Sequence, residues 1–177
     1  MRFDTPDGAR RTILAAGATV LRGRRLQEDA LLDTPDDALR QRRCALRVRT
    51  ESGRSFVTFK GPVQPGTMKI REEIETAVGD GDVLLQVFEQ LGFRVWFRYE
   101  KYREEYAGDG LVVAIDETPV GTFVELEGSE AAIQAMTRAL GRTEADYVLD
   151  SYHGLFLQHQ QKYGYETPHM FFLDDDE

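Results

Sequence analysis

The 177-residue sequence predicts an α+β fold with a largely antiparallel sheet. Three observations carry that expectation. Runs such as CALRVRT, SFVTFKG and TFVELEG alternate apolar and polar residues with the two-residue period of a strand. Turn signals, Glu51-Ser52-Gly53-Arg54 and Gly108-Asp109-Gly110, join neighbouring runs as hairpins. Amphipathic segments with recognisable caps supply helices that can cover the apolar strand faces.

In chain order, TPDGARRTILAAGA reads as a first helix, capped by Thr5, with Pro6 in its first turn and Gly17 closing it. LQEDALLDTP reads as a strand ending at Asp33-Thr34-Pro35, and DDALRQRR as a turn or short helix. CALRVRT and SFVTFKG are paired strands, and MKIREEIETAV is another after the loop PVQPG. Asp80 or Asp82 caps the helix VLLQVFEQLG, whose Val83, Leu84, Val87, Phe88 and Leu91 recur at helical spacing. RVWFRYEKYREEY and LVVAID form a hairpin, and TFVELEG follows as a strand. SEAAIQAMTRALG is a helix between Ser129 and Gly141, and SYHGLFLQHQQKYG a further helix. No internal repeat or low-complexity linker interrupts this order.

Apolar residues make up 41% of the chain, enough for a core. No run reaches the length of a membrane-spanning helix, the N-terminus lacks a signal-peptide pattern, and Cys44 is the single cysteine, so a cytoplasmic protein is the expectation. The net charge of −9, with the tail Asp174-Asp175-Asp176-Glu177, argues against nucleic acid as a partner. Against that background Arg22, Arg24, Arg25, Arg40, Arg42, Arg43, Arg47 and Arg49 concentrate in one segment, where a small anion could be held.

The charges fall on one face of each strand. Arg47 and Arg49 lie opposite Leu46 and Val48, Lys60 lies with Thr58 opposite Val57 and Phe59, and Lys101 lies with Arg103. Lys69, Arg71, Glu73 and Glu75 oppose Ile70 and Ile74, Asp116 opposes Leu111, Val113 and Ile115, and Glu125 and Glu127 oppose Val124 and Leu126. A wet polar face is common in antiparallel sheets. Like charges two apart repel, however, and the faces are short of Ser, Thr and Gln filler. Grouped cations suit phosphate oxygens and grouped carboxylates suit hard divalent ions, so a charged cavity is the favoured expectation. The apolar faces, Ile70 and Ile74 included, are expected beneath helices.

The run of LRVR, TFKGP, KIREEIE, KYREEY and AIDETPVGTFVELE, ending in DSYHGLF, resembles the CYTH domain of the triphosphate tunnel metalloenzymes. Within that superfamily it is most similar to the class IV adenylate cyclase branch, with thiamine triphosphatase as a cousin. The resemblance implies an antiparallel eight-stranded β-barrel, open as a tunnel, with helices outside. It implies one CYTH domain over residues 1–164 followed by an acidic tail over 165–177. Arg47, Arg49, Lys60, Arg71, Lys101 and Arg103 would bind the triphosphate, with Lys101 and Arg103 as the catalytic pair. Glu73, Glu75, Asp116, Glu125 and Glu127 would position Mg²⁺ or Mn²⁺. The implied substrate is ATP, thiamine triphosphate or inorganic triphosphate; the implied reaction is cyclisation to cyclic AMP or hydrolysis. No nucleic acid or membrane partner is implied, and a homodimer is left open.

The sequence departs from that pattern in two places. The family's first strand carries a Glu-x-Glu-x-Lys motif, whereas this sequence opens MRFDTPDGARR, with Arg2-Phe3 matching only the end of that strand. Either the start codon is set too far downstream or the chain lacks the first strand. The second case favours a different class of function, a nucleotide or polyphosphate binder without catalysis. The other departure is Leu31, where the family usually has tyrosine.

Other motifs carry less. His153, His159 and His169 are scattered, no Walker-type loop exists, and Gly79-Asp80-Gly81-Asp82 reads as a turn with a helix cap. Cys44 is expected as a buried thiol. Trp96, Phe97, Tyr99 and Tyr102 could stack a base but suit packing better. The segment after Gly164 is expected to be loosely attached, with Met170, Phe171 and Phe172 available to dock.

Overall fold

The computed structural model describes residues 1–64, 70–164 and 166–173. Its fold class is α+β, with eight strands in an antiparallel sheet and five α-helices. The chain divides into two compact units. One takes its described residues from 1–26, 101–164 and 172–173, and the other from 27–64, 70–100 and 166–171. Two long strands, β2 (Thr19–Asp33) and β6 (Arg94–Gly108), contribute to both units.

The first unit carries β1 (Arg2–Phe3), β7 (Leu111–Thr118) and β8 (Gly121–Gly128) with the C-terminal half of β6. They run in the order β1-β8-β7-β6. Arg2 and Phe3 pair with Phe123 and Thr122. The β6–β7 hairpin turns through Asp109 and Gly110, whose φ of 69° suits glycine. Helix α1 (Pro6–Ala15) is capped by the Thr5 side chain, which accepts from Gly8 N, and α4 (Glu130–Ala139) by Ser129. Ala9 and Ile13 of α1 and Met136 of α4 bury against Tyr106, Val113, Ile115 and Val124. Fully burying such side chains stabilises by about 1.5–3 kcal/mol each. This apolar face is the one that alternation assigned, so Lys101, Arg103, Asp116, Glu125 and Glu127 fall on the opposite face. Helix α5 (Tyr152–Tyr163) starts at Ser151, whose hydroxyl accepts from Gly154 N, and ends at Gly164 with φ 73°.

The second unit orders its strands β2-β3-β4-β5, with β3 (Ala45–Glu51), β4 (Arg54–Lys60) and β5 (Glu73–Val78). Ser52 and Gly53 make the β3–β4 turn, with φ of 51° and 73°. Asp33 accepts hydrogen bonds from the backbone N–H groups of Thr34, Leu39 and Arg40, and so ties down the loop carrying the short helix α2 (Ala38–Gln41). Helix α3 (Gly81–Gln90), capped by Asp80, packs on β3 and β4.

Several expectations are corrected here. Strand β2 begins at Thr19, well before LQEDALLD. Strand β5 begins only at Glu73; Ile70–Glu72 are outside it, and Lys69 lies outside the described residues. Ile70 and Ile74 do not sit beneath a helix: they are 56% and 60% exposed. The reason is reach, because α3 covers β3 and β4 and not the terminal strand β5. On α3 Val83 and Val87, with Leu91 at its C-cap, face solvent, while Leu84 and Phe88 are half-buried. Nor is the C-terminal segment loose at Met170. That residue is fully buried, donates its N–H to Arg98 O and accepts from Glu100 N, and is flanked by His169, whose Nδ1 accepts from Arg98 N.

Candidate functional site: two charged clusters

In the first unit the cluster is built across β6, β7 and β8. Arg103 stands directly opposite Asp116 in the β6–β7 register. Its Nε donates to Asp116 Oδ1 at 2.7 Å and its Nη2 to Oδ2 at 2.6 Å, a bidentate fork. Lys101 Nζ donates to Oδ2 at 2.6 Å. Asp116 and Lys101 are 0% and 2% exposed, a burial tolerable only because the charges are paired. Arg103 also donates to Glu125 through Nη2 and reaches Glu127 at 3.4 Å. The Tyr152 hydroxyl, at the first residue of α5, lies 2.5 Å from Asp116 Oδ2 and 2.9 Å from Glu125 Oε1. Its ring sits 4.8 Å from Lys101 Nζ and edge-on to Phe123.

The electrostatics follow from that geometry. Burial pushes the Asp116 carboxyl up, but the Arg103 and Lys101 charges and hydrogen bonds outweigh it and leave it well below its ordinary value. Burial and Asp116 push Glu125 up, yet Arg103, Lys101 and the Tyr152 hydroxyl bring it below the usual carboxylate value. Burial opposes the Arg103 charge, and Asp116 and Glu125 hold it well above ordinary arginine. Burial, then Asp116 and Glu125, raise the Tyr152 phenol far above its usual value.

In the second unit the cluster spans β2 to β5. Arg49, opposite Asp29, donates Nε and Nη2 to its two oxygens at 2.8 and 2.9 Å. Arg47 Nε approaches Asp29 Oδ1 at 3.4 Å, and its Nη2 donates to Thr58 at 3.1 Å and to Glu75 at 3.4 Å. Thr58 donates to Glu75 at 2.7 Å. Lys60 Nζ donates to both oxygens of Glu73, which also accepts from Arg71 at 3.3 Å. Burial and the Arg47 charge lower the Lys60 ammonium, although Glu73 opposes them. Burial, with Asp29, pushes the Tyr99 phenol up to about 12.

The structure thus gathers Lys101, Arg103, Asp116, Glu125 and Glu127 in one cluster and Arg47, Arg49, Lys60, Arg71, Glu73 and Glu75 in the other. Sequence reasoning missed Asp29, Thr58 and Tyr152. Asp29 had a signal, since it shares a face with Gln27 and Asp33 in a strand next to two inward arginines. Tyr152 lies in the DSYHGLF motif, but its partners are 36 and 27 residues away, so no local spacing gives it a role.

The donor set sets limits on a divalent ion. Asp116 Oδ2 accepts from Lys101 and Arg103 and lies against the Tyr152 hydroxyl, and Oδ1 accepts from Arg103, so the carboxylate expected to hold a metal is here engaged by cations. Glu125 and Glu127, two apart on β8, have side chains 39% and 61% exposed. Among the described residues no three His, Cys, Asp or Glu side chains are grouped to hold an ion alone. Magnesium needs only one or two carboxylates when water and substrate phosphates complete its shell, and Glu125 with Glu127 fit that requirement.

Buried cations braced by carboxylates on one strand face of each unit, with α1 and α4 packed on the apolar face of the first and α3 on β3 and β4 of the second, define an α+β protein organised around charge. The chain belongs to the CYTH domain family, whose profile matches residues 5–152. A relative from Methanocaldococcus jannaschii, named "Putative adenylate cyclase", is 36% identical over 118 residues, covering 66% of this chain and 67% of its own. The PH1819 protein of Pyrococcus horikoshii aligns with a TM-score of 0.76 at 26% identity, over 88% of this chain and 96% of that one. A Hippeastrum protein, described as a "Putative adenylyl cyclase" with "a dominant triphophatase activity", shares the fold at TM-score 0.67 and 16% identity, over 89% and 93% of the two chains. Among the described residues no helix is long and apolar enough to cross a membrane.

Proposed function

We propose that this protein is a divalent-metal-dependent enzyme acting on a triphosphate, either closing ATP to cyclic AMP or hydrolysing the triphosphate. The observation that carries the metal requirement is the charge balance of the first cluster. Lys101 and Arg103 face three carboxylates, Asp116, Glu125 and Glu127, so the cluster repels an anion until a cation joins it. Glu125 and Glu127 would hold Mg²⁺ or Mn²⁺. Such an ion neutralises phosphate charge and orients the attacking oxygen for in-line displacement. Lys101 and Arg103 donate to phosphate oxygens, while Asp116 fixes both cations in place. In the second cluster Arg47, Lys60 and Arg71 are the cations available to phosphate. Arg49 is held bidentately by Asp29 and acts chiefly as a brace, and Glu73 and Glu75 orient the cations. Positioning and electrostatics suffice for this chemistry, so no Ser, Cys or His nucleophile is needed.

The cyclase reading draws on the name of the archaeal relative; hydrolysis uses the same residues with water as the attacking oxygen. The test is to incubate the protein with ATP, thiamine triphosphate or inorganic triphosphate plus Mg²⁺ or Mn²⁺ and measure cyclic AMP and released phosphate. Formation of neither product sinks the enzyme reading.

A second reading is a non-catalytic binder of nucleotides or polyphosphate, favoured by the buried cations Arg47, Lys101 and Arg103 being held in place by carboxylates and a hydroxyl of the chain itself. A binder would hold triphosphate without divalent metal, would lose it on Lys60→Glu or Arg103→Glu, and would be indifferent to Glu125→Gln.

A further inference from the structure

We infer that Tyr152 is a positioning residue that sets the orientation of Glu125 toward a divalent cation, an inference resting on the reading of Glu125 as a metal-holding carboxylate. Three features of the first unit point to it. The phenol is the first residue of α5, yet its hydroxyl reaches carboxylates on two strands, Asp116 of β7 and Glu125 of β8. It approaches Glu125 through Oε1, while Arg103 engages Oε2, so the carboxylate plane is fixed from both sides. The ring itself is held by Phe123 and by the Lys101 ammonium, which leaves the hydroxyl little freedom to swing away.

Partners that hold a ligating carboxylate in one orientation govern metal affinity, and their loss typically weakens binding by about 10–100-fold. Glu127 lacks such a brace, being bonded only at 3.4 Å to Arg103 among the contacts described. Tyr152 therefore decides whether the pair of carboxylates presents a defined oxygen or a swinging one. The same hydroxyl links Glu125 to Asp116, so the orientation of the carboxylate and that of Lys101 and Arg103 are set together.

The experiment measures Mn²⁺ binding directly, by the electron paramagnetic resonance signal of free Mn²⁺, in the wild type, Tyr152→Phe and Ser151→Ala, without substrate. Ser151→Ala removes the α5 cap and serves as the structural control. The inference expects Tyr152→Phe to weaken Mn²⁺ binding by about tenfold or more while its melting temperature stays close to that of the wild type. Ser151→Ala should lower the melting temperature and leave the Mn²⁺ affinity unchanged. Equal Mn²⁺ affinity in the wild type and Tyr152→Phe overturns the inference alone, and so does equal weakening in both variants, since Tyr152 would then act only through the fold. A wild type that binds no Mn²⁺ in the absence of triphosphate overturns the inference, since Tyr152 then presents no oxygen able to hold the ion, and leaves the metal-dependent reading to the turnover assay, where substrate phosphates complete the ion's shell.

Discussion

Arg103 and Asp116 face each other across β6 and β7 and are joined by two parallel hydrogen bonds of 2.7 and 2.6 Å. The pair is buried, and Lys101 shares the same carboxylate. Replacing the pair with well-packed apolar residues could be neutral, but removing one member leaves a buried charge uncompensated. Asp116→Ala is therefore expected to destabilise the protein by about 3–5 kcal/mol, measured by urea unfolding, whereas Glu127→Ala, at the exposed end of the cluster, should cost less than about 1 kcal/mol.

Asp33 gives a pH prediction. Burial raises its carboxyl, but the N–H groups of Leu39, Arg40 and Thr34 and the Arg40 charge bring it below its ordinary value. A depressed carboxyl contributes stability in full above the unfolded value of about 3.9, and that contribution is lost as pH falls through the folded value. The protection of the Leu39 and Arg40 amides, taken relative to the free-peptide exchange rate at each pH, should fall in that acid window, and Asp33→Ala should show the lowered protection already at pH 7. Slow exchange at both amides in the variant would contradict this role.

Lys60 predicts proton uptake on ligand binding. Its ammonium is lowered by burial and by Arg47. A triphosphate beside it would push it back up. At a pH between the lowered value and about 10.4, binding of inorganic triphosphate should take up protons. Calorimetry in buffers of different ionisation enthalpy reads this directly, and Lys60→Arg should abolish the uptake.

Ser52 occupies a left-handed conformation, with φ of 51°, in the β3–β4 turn ahead of Gly53. A two-residue turn with both residues at positive φ prefers Asn-Gly. Ser52→Asn should stabilise the chain, seen as a higher urea midpoint with an unchanged slope.

Much of this was legible because alternation and turn chemistry are local. The charged strand faces of Arg47 with Arg49 and of Lys101 with Arg103, the Thr5 and Ser129 caps, the narrowing of the α3 cap to Asp80 or Asp82, and the Asp109-Gly110 hairpin need only neighbouring residues to be read. What stayed hidden depends on distant partners. Val83, Val87 and Leu91 fit the helical spacing as well as Leu84 and Phe88 do, and only the placement of α3 over β3 and β4 decides which face is covered. Ile74 is exposed for the same reason. The engagement of Asp116 by cations required knowing that Arg103, Lys101 and Tyr152 all converge on it.

The most direct test of the central claim is turnover of ATP and of inorganic triphosphate by the wild type and Glu125→Gln across a Mn²⁺ titration, with binding followed in parallel. The account predicts product only when Mn²⁺ is present and a loss of turnover in Glu125→Gln of at least a hundredfold, the scale typical of one electrostatic group (about 10²–10³), with the variant still folded. Turnover that survives Glu125→Gln, or triphosphate binding that ignores Mn²⁺ and yields no product, would contradict it.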